Sequence, residues 1–305
     1  MSDVNAEMIR VARLTEGWTQ NEVADALGIR QPTYSKIENG LVALGEAHLA
    51  KLSEVLGYPG SFFCQPDRIW GTASPHHRRR KSVTPSRLLE IEAQLNVVRL
   101  QVRRLAASVE IAPPFEVPKI DLDIVGSGYE AARAVRRHWR MPLGPVPSVT
   151  RALEDAGVVI IETPLSDRLD AISVWGPGES PVVLLNESFP VDRKRQTLAH
   201  ELGHLVLHTA DETEDPEREA DEFAREFLMP SSEIRPELKY LQLKALPDLK
   251  RRWKCSMRNI VYHARELGVI SKDQARYMFM RLNQLYGAKA EPIPLPPETA
   301  TLLRE

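Results

Sequence analysis

Arg195-Gln-Thr-Leu-Ala-His-Glu-Leu-Gly-His-Leu-Val-Leu-His208 is the stretch on which the reading of this chain turns. Leu198, Leu202, Leu205 and Val206 recur at helical spacing and give the segment one buried side. On such a helix His200 and His204, four residues apart, present two imidazoles from a single face. Neutral imidazole nitrogens suit Zn2+, and two of them leave room for one more protein ligand and a water. Glu201, beside the pair, is then placed to take a proton from that water, so it is the candidate catalytic residue.

The third ligand has to come from nearby, and Glu217-Arg-Glu-Ala-Asp221 follows one acidic loop later. Glu217 and Asp221 share a helix face. If Glu217 ligates, Asp221 can accept a hydrogen bond from a ligand histidine and set its tautomer. Glu219, elsewhere on the same helix, is the rival ligand, because only the rotation of the helix decides between them. His208 stands one turn beyond the histidine pair and is read as a supporting or surface residue. Asp211, Glu212, Glu214 and Asp215 read as a solvated loop.

Upstream of this helix, Val158-Val-Ile-Ile161, Ile172-Ser-Val-Trp175 and Val182-Val-Leu-Leu185 are short β-rich runs set among helical patterns near Ser127 to Trp139 and Ser148 to Ala156. A small sheet framed by helices makes the fold class α+β and mostly helical. Trp175 and Ser173 are candidates for an edge strand that pairs with a substrate backbone. His263 reads as a helix-surface histidine with an oxyanion role as the alternative, and Cys255 as a packed thiol with a reactive one as the alternative.

The first part of the chain has a different texture. Apolar residues recur at helical spacing from Met8 to Phe63, and Gly17, Gly28, Gly40 and Gly57 follow the periodic runs as helix stops. Thr19 with Glu22 forms a capping box, Gly28 makes a tight turn, and Pro32 suits the first turn of the next helix. That helix turns Gln31, Thr33, Ser35 and Lys36 outward, groups that base edges and phosphates accept, while Tyr34 and Ile37 face inward. Pro75 to Lys81 is a basic run. It is followed by the stripe Leu88, Ile91, Leu95, Val98, Val102 and Leu105, expected to form a long amphipathic arm and an exposed hinge. The boundaries read as 1–66, 67–120, 121–290 and a flexible proline-rich tail at 291–305.

Composition limits the remaining classes. Lys+Arg number 40 against 42 Asp+Glu, so any nucleic-acid role must come from a local patch. The 2 cysteines are far apart, with no paired spacing and no leader-like run ahead of them, which points to a reduced cytoplasmic protein. No apolar run approaches the roughly 18 residues of a membrane-spanning helix, so no membrane partner is expected.

Two resemblances attach to these motifs. Trp18-Thr-Gln-x-Glu-Val-Ala-x-x-Leu-Gly28 with Ser35-Lys-Ile-Glu-Asn-Gly40 resembles the Cro/lambda-repressor (XRE) DNA-binding domains over about residues 6 to 60. The resemblance implies binding of double-stranded DNA as a homodimer, with Gln31, Thr33, Ser35 and Lys36 reading bases and Gln20 and Asn39 holding the backbone. His200-Glu-Leu-Gly-His204 followed by Glu217-x-x-Ala-Asp221-x-Phe-Ala224-x-x-Phe-Leu-Met-Pro230 resembles the ImmA/IrrE metallopeptidases over about residues 155 to 232. That resemblance implies a zinc endopeptidase whose protein substrate is a helix-turn-helix repressor. The alternative is a repressor whose zincin-like domain is a sensor or dimerisation module without turnover.

Overall fold

The structure, a computed structural model, describes residues 4–69, 84–108, 113–165, 169–208, 215–287 and 291–302. The chain divides into two units, Met1–Glu110 with Val174–Glu179, and Ile111–Ser173 with Ser180–Glu305. The basic run at Pro75 to Lys81 and the acids Asp211, Glu212 and Glu214 lie outside the described residues.

The first unit is helical: α1 (Ala6–Thr15), α2 (Gln20–Leu27), α3 (Gln31–Glu38), α4 (Glu46–Leu56), α5 (Gly60–Phe63) and α6 (Pro85–Ser108). Local signals set the ends. Thr19 and Glu22 close the capping box on α2, and Gly28 ends it at φ 76°, a left-handed conformation that a side chain resists. Met8, Ala12, Val23, Leu27, Tyr34, Ile37, Leu52 and Phe63 meet in one core.

The segment expected as an exposed arm is part of this unit. Ala93, Val97 and Leu100 of α6 belong to the same core as α1 and α2. Ile91, Leu95 and Val102 are buried as well, whereas Leu105, predicted to lie on the stripe, is 55% exposed. Burial over more than one face removes the solvent side that a free arm needs. Even its charge is enclosed: the Arg99 guanidinium donates to Glu179 at 2.6 Å and to the Arg68 carbonyl.

The second unit contains α7 (Leu122–Val125), α8 (Gly128–His138), α9 (Val149–Glu154), β1 (Val159–Thr163), β2 (Ala171–Val174), β3 (Val182–Asn186), α10 (Val191–Leu207), α11 (Pro216–Leu228), α12 (Ser231–Leu238), α13 (Leu246–Trp253), α14 (Met257–Glu266) and α15 (Lys272–Tyr286). The architecture is α+β and mostly helical. Its three strands lie in the order β1-β3-β2, and β1 pairs parallel to β3 from Val159↔Val182 to Thr163↔Asn186. Every residue of β3 is buried, as its unbroken apolar run requires of a central strand. The strand leads through Pro190 into α10. Among the described residues no helix is long and apolar enough to cross a membrane.

The segment 291–302, expected to be flexible, is tied down through carboxylates, two of which, its own Glu298 and Glu291, sit where helices begin. Glu298 accepts from the Val149 and Thr150 N–H groups at the start of α9, at 2.7 and 3.0 Å, and pairs with Arg195 of α10. Glu291 accepts from Met257 N–H at the start of α14 and from Lys250, and Glu154 receives the Thr301 and Leu302 N–H groups. Helix N-termini carry unsatisfied donors and partial positive charge, which a carboxylate relieves. Proline in this stretch therefore marks an extended strap.

Arg195 is 1% exposed, so removing its carboxylate partner strands a buried charge. Glu298→Ala is expected to destabilise the protein by about 3 kcal/mol, read as a lower midpoint in chemical denaturation. An unchanged midpoint would show that the strap does not brace the fold.

Candidate metal centre

Residues Thr197 to Leu207 of α10 are all buried, so the helix runs through the interior of its unit with no solvent face over its last three turns. What lets a second helix approach it is Gly203. A Cβ at that position would sit 3.0 Å from the Ala220 Cα and 3.2 Å from the Ala220 carbonyl oxygen, so α10 and α11 cross nearly backbone to backbone. On the other side of α11, a Cβ on Gly128 of α8 would collide with the Glu219 carbonyl. The rotation of α11 is thereby held from two sides.

Glu217, one turn before the crossing, reaches both histidines. Its carboxylate oxygens lie 3.5 Å from His200 Nε2 and 3.5 Å from His204 Nε2, and the two Nε2 atoms are 3.1 Å apart. Among the described residues these three form the group of donors able to hold a metal ion. Ligands at about 2.0–2.1 Å from a tetrahedral ion are about 3.3 Å from one another. The observed triangle has edges of that size, so the donor set fits zinc in both chemistry and span.

The far sides of the rings are also engaged. His200 Nδ1 lies 2.9 Å from Asp221 Oδ1. His204 Nδ1 lies 2.9 Å from His208 Nδ1, and His208 Nε2 lies 2.9 Å from Glu219 Oε2. A carboxylate can only accept, so Glu219 draws the N–H of His208 to Nε2 and leaves its Nδ1 as an acceptor. His204 then donates from Nδ1 and turns the lone pair of Nε2 towards Glu217 and His200. Asp221 acts in the same way on His200. Glu219, the rival for Glu217, is thus placed on His208, which is buried and not at the surface.

Electrostatics divide the three groups. Burial opposes a charge on His200, but hydrogen bonds to Asp221 and Glu217 and the charge of Glu201 outweigh it and raise its pKa to about 9. His204 is lowered to about 4 by burial, aided by the neighbouring His200 and His208, against the pull of Glu217 and Glu201. Glu217 is held well below the usual carboxylate range by His200 first and by His204 beside it. A proton on His200 thus occupies the face where a cation would compete for the same donors.

Glu201 is fully buried, and the Ser173 hydroxyl of β2 donates to its Oε2 at 2.7 Å. In the order β1-β3-β2 the strand of Ser173 is an edge, as the sequence predicts, but the bond to Glu201 is not legible there as a pairing. The signal available was a hydroxyl in the otherwise apolar Ala-Ile-Ser-Val strand, which burial makes costly unless it has a partner. His263 is not at the surface: it is buried, and its Nε2 meets the Met229 carbonyl at 3.0 Å. Cys255 is enclosed, and burial pushes its thiol up to about 12, which removes it as a thiolate at neutral pH.

In the first unit, Thr33, Lys36 and Asn39 are exposed, and Gln20, Gln31 and Ser35 are half-buried. Gln31 donates to Gln20 Oε1 at 2.9 Å, Gln20 donates to Glu38, and Glu38 also accepts from Arg13 at 2.8 Å. Asn39 donates to the Ser35 carbonyl at 2.7 Å. The buried Arg13–Glu38 pair that anchors the two glutamines was not anticipated from the sequence.

Residues 153–264 match a peptidase family described as the IrrE N-terminal-like domain, and residues 9–63 match a family described as helix-turn-helix. The chain joins an XRE-type helix-turn-helix domain to an IrrE-like peptidase-family domain. No curated protein matches it. The IrrE-like match spans Ser173, the histidines, Gly203 and Glu217, but stops short of the strap, and α8 precedes it.

Because α11 is positioned by its closeness to α10, Gly203→Ala is expected to destabilise the IrrE-like domain by about 1–3 kcal/mol and to lengthen the distances from Glu217 to both histidines. A crystal structure and a melting curve of the variant check this, and unaltered distances would remove Gly203 as the determinant of the approach.

Proposed function

We propose that this protein is a DNA-binding transcriptional regulator carrying a zinc-dependent endopeptidase, which cleaves a repressor or other regulatory protein in a stress or mobile-element response in the cytoplasm. The observation that carries the reading is the triangle of His200 Nε2, His204 Nε2 and Glu217, with both imidazoles oriented from behind. His200, His204 and Glu217 would hold the ion. Zinc bound there supplies Lewis acidity to a scissile carbonyl and makes a water acidic enough to react near neutral pH.

The protein groups do the rest. Glu201 accepts a proton from the attacking water as its oxygen bonds to the carbonyl carbon, and returns that proton to the amine nitrogen as the C–N bond breaks. Asp221 fixes His200, and Glu219 through His208 fixes His204, so that neither ring has to reorient when the ion binds. In the helix-turn-helix domain, Gln31, Thr33, Ser35 and Lys36 read bases of a duplex, Gln20 and Asn39 hold its backbone, and a homodimer doubles the contact.

Metal analysis of the purified protein without a metal-binding tag is expected to find about one zinc per chain. Glu217→Ala should abolish that zinc, while Glu219→Ala should retain the stoichiometry with affinity weakened about 10–100-fold. Mapping new protein N-termini in cells should reveal cuts made by the wild type and absent with Glu201→Gln, although that variant keeps its zinc. Identical N-termini for both proteins would favour a sensor without turnover. For DNA, Asn39→Ala should weaken binding to every sequence alike, whereas Gln31→Ala should weaken the operator more than random DNA. Anisotropy titrations at several salt concentrations separate these two effects.

A further inference from the structure

We propose that Ser173 is a positioning residue for the general base: its hydroxyl fixes the place and the rotamer of the Glu201 carboxylate. This rests on the peptidase reading of the metal centre. The carrying observation is the 2.7 Å bond from Ser173 Oγ to Glu201 Oε2, between two side chains that are both fully enclosed. That length is typical of a hydroxyl donating to a charged oxygen. Its neighbours in β2, Ala171, Ile172 and Val174, are buried and apolar, so the hydroxyl is the polar group that this strand delivers to the interior.

The chemical type of the partner matters. A lysine or an arginine would bring a positive charge of its own beside Glu201, which a neutral hydroxyl does not. A general base in peptide hydrolysis must accept a proton and then release it, which requires its surroundings to tolerate the acid as well as the carboxylate. A serine hydroxyl both donates and accepts, and its hydrogen rotates freely. It donates to Oε2 when Glu201 is charged. The side chain also keeps its rotamer through the cycle, because β2 fixes the hydroxyl and α10 fixes Glu201.

The test compares wild type with Ser173→Ala, Ser173→Thr and Glu201→Gln on a peptide spanning a mapped cut. Expected are a kcat about 10–100-fold lower in Ser173→Ala, with KM and zinc content unchanged, and recovery in Ser173→Thr. A kcat equal to wild type in Ser173→Ala, or a Thr variant as slow as Ala, overturns the proposal. If wild type and Glu201→Gln are equally inactive, it is the peptidase reading that fails. The positioning claim is then judged on metal-free full-length protein by 13C NMR of labelled glutamate carboxyls, with Glu201→Gln assigning the resonance. Ser173→Ala should shift that resonance and Ser173→Thr should leave it nearly in place; no shift in the Ala variant overturns the proposal. Should Ser173→Ala fail to fold, Ser173→Val against Ser173→Thr isolates the hydroxyl at constant shape.

Discussion

The approach of α11 to α10 at Gly203 is the constraint on which the metal centre depends. A side chain at this crossing would separate the helices, and Glu217 is one turn from the contact. With the backbones this close, a short glutamate side chain spans the gap to both Nε2 atoms. The same approach brings Asp221 behind His200 and Glu219 behind His208. One small residue therefore arranges three carboxylates, each with a different histidine environment, along about one turn of helix. Gly128 on α8 completes the arrangement by denying α11 the freedom to roll.

Much of this was legible in the sequence, and the limit was a physical one. Periodicity and caps announce α2, α3 and α10, because local geometry sets them: a capping box, a left-handed glycine, a proline in a first turn. The imidazole pair is equally local, since a spacing of four on one helix requires nothing else. The orientation of one helix against another is not local. Glu217 and Glu219 differ by about 200° around α11, and the angle at which α11 meets α10 depends on an alanine and two glycines from three helices. The helix-turn-helix domain shows the same division. Its elements could be read directly, but the Arg13–Glu38 pair behind Gln20 and Gln31 joins residues on α1 and α3 that no single periodicity connects.

Burial explains the remaining departures. A stripe on α6 was taken as one apolar face, but Ala93 and Val97 lie off that stripe and are buried too, so the helix has more than one interior side. Ser173 and His263 are polar residues in apolar surroundings. Polarity in a sequence suggests solvent; inside a protein it implies a partner, and the partners here are Glu201 and the Met229 carbonyl. For Ser173 that partner is the carboxylate between the two histidines, and for His263 it is the end of α11.

The strap has a consequence in time. Arg195 enters the interior of its domain with Glu298 as its counter-charge, and 103 residues separate the two. At bacterial or eukaryotic synthesis rates, about 5–20 residues per second, roughly 5–20 s pass between the making of Arg195 and of Glu298. During that interval α10 already exists with both histidines and Glu201, but Arg195 still lacks the carboxylate that faces it in the finished domain. A growing chain thus carries the histidine helix before the strap that braces it, and the helix-turn-helix domain, made first, precedes the whole of the IrrE-like one.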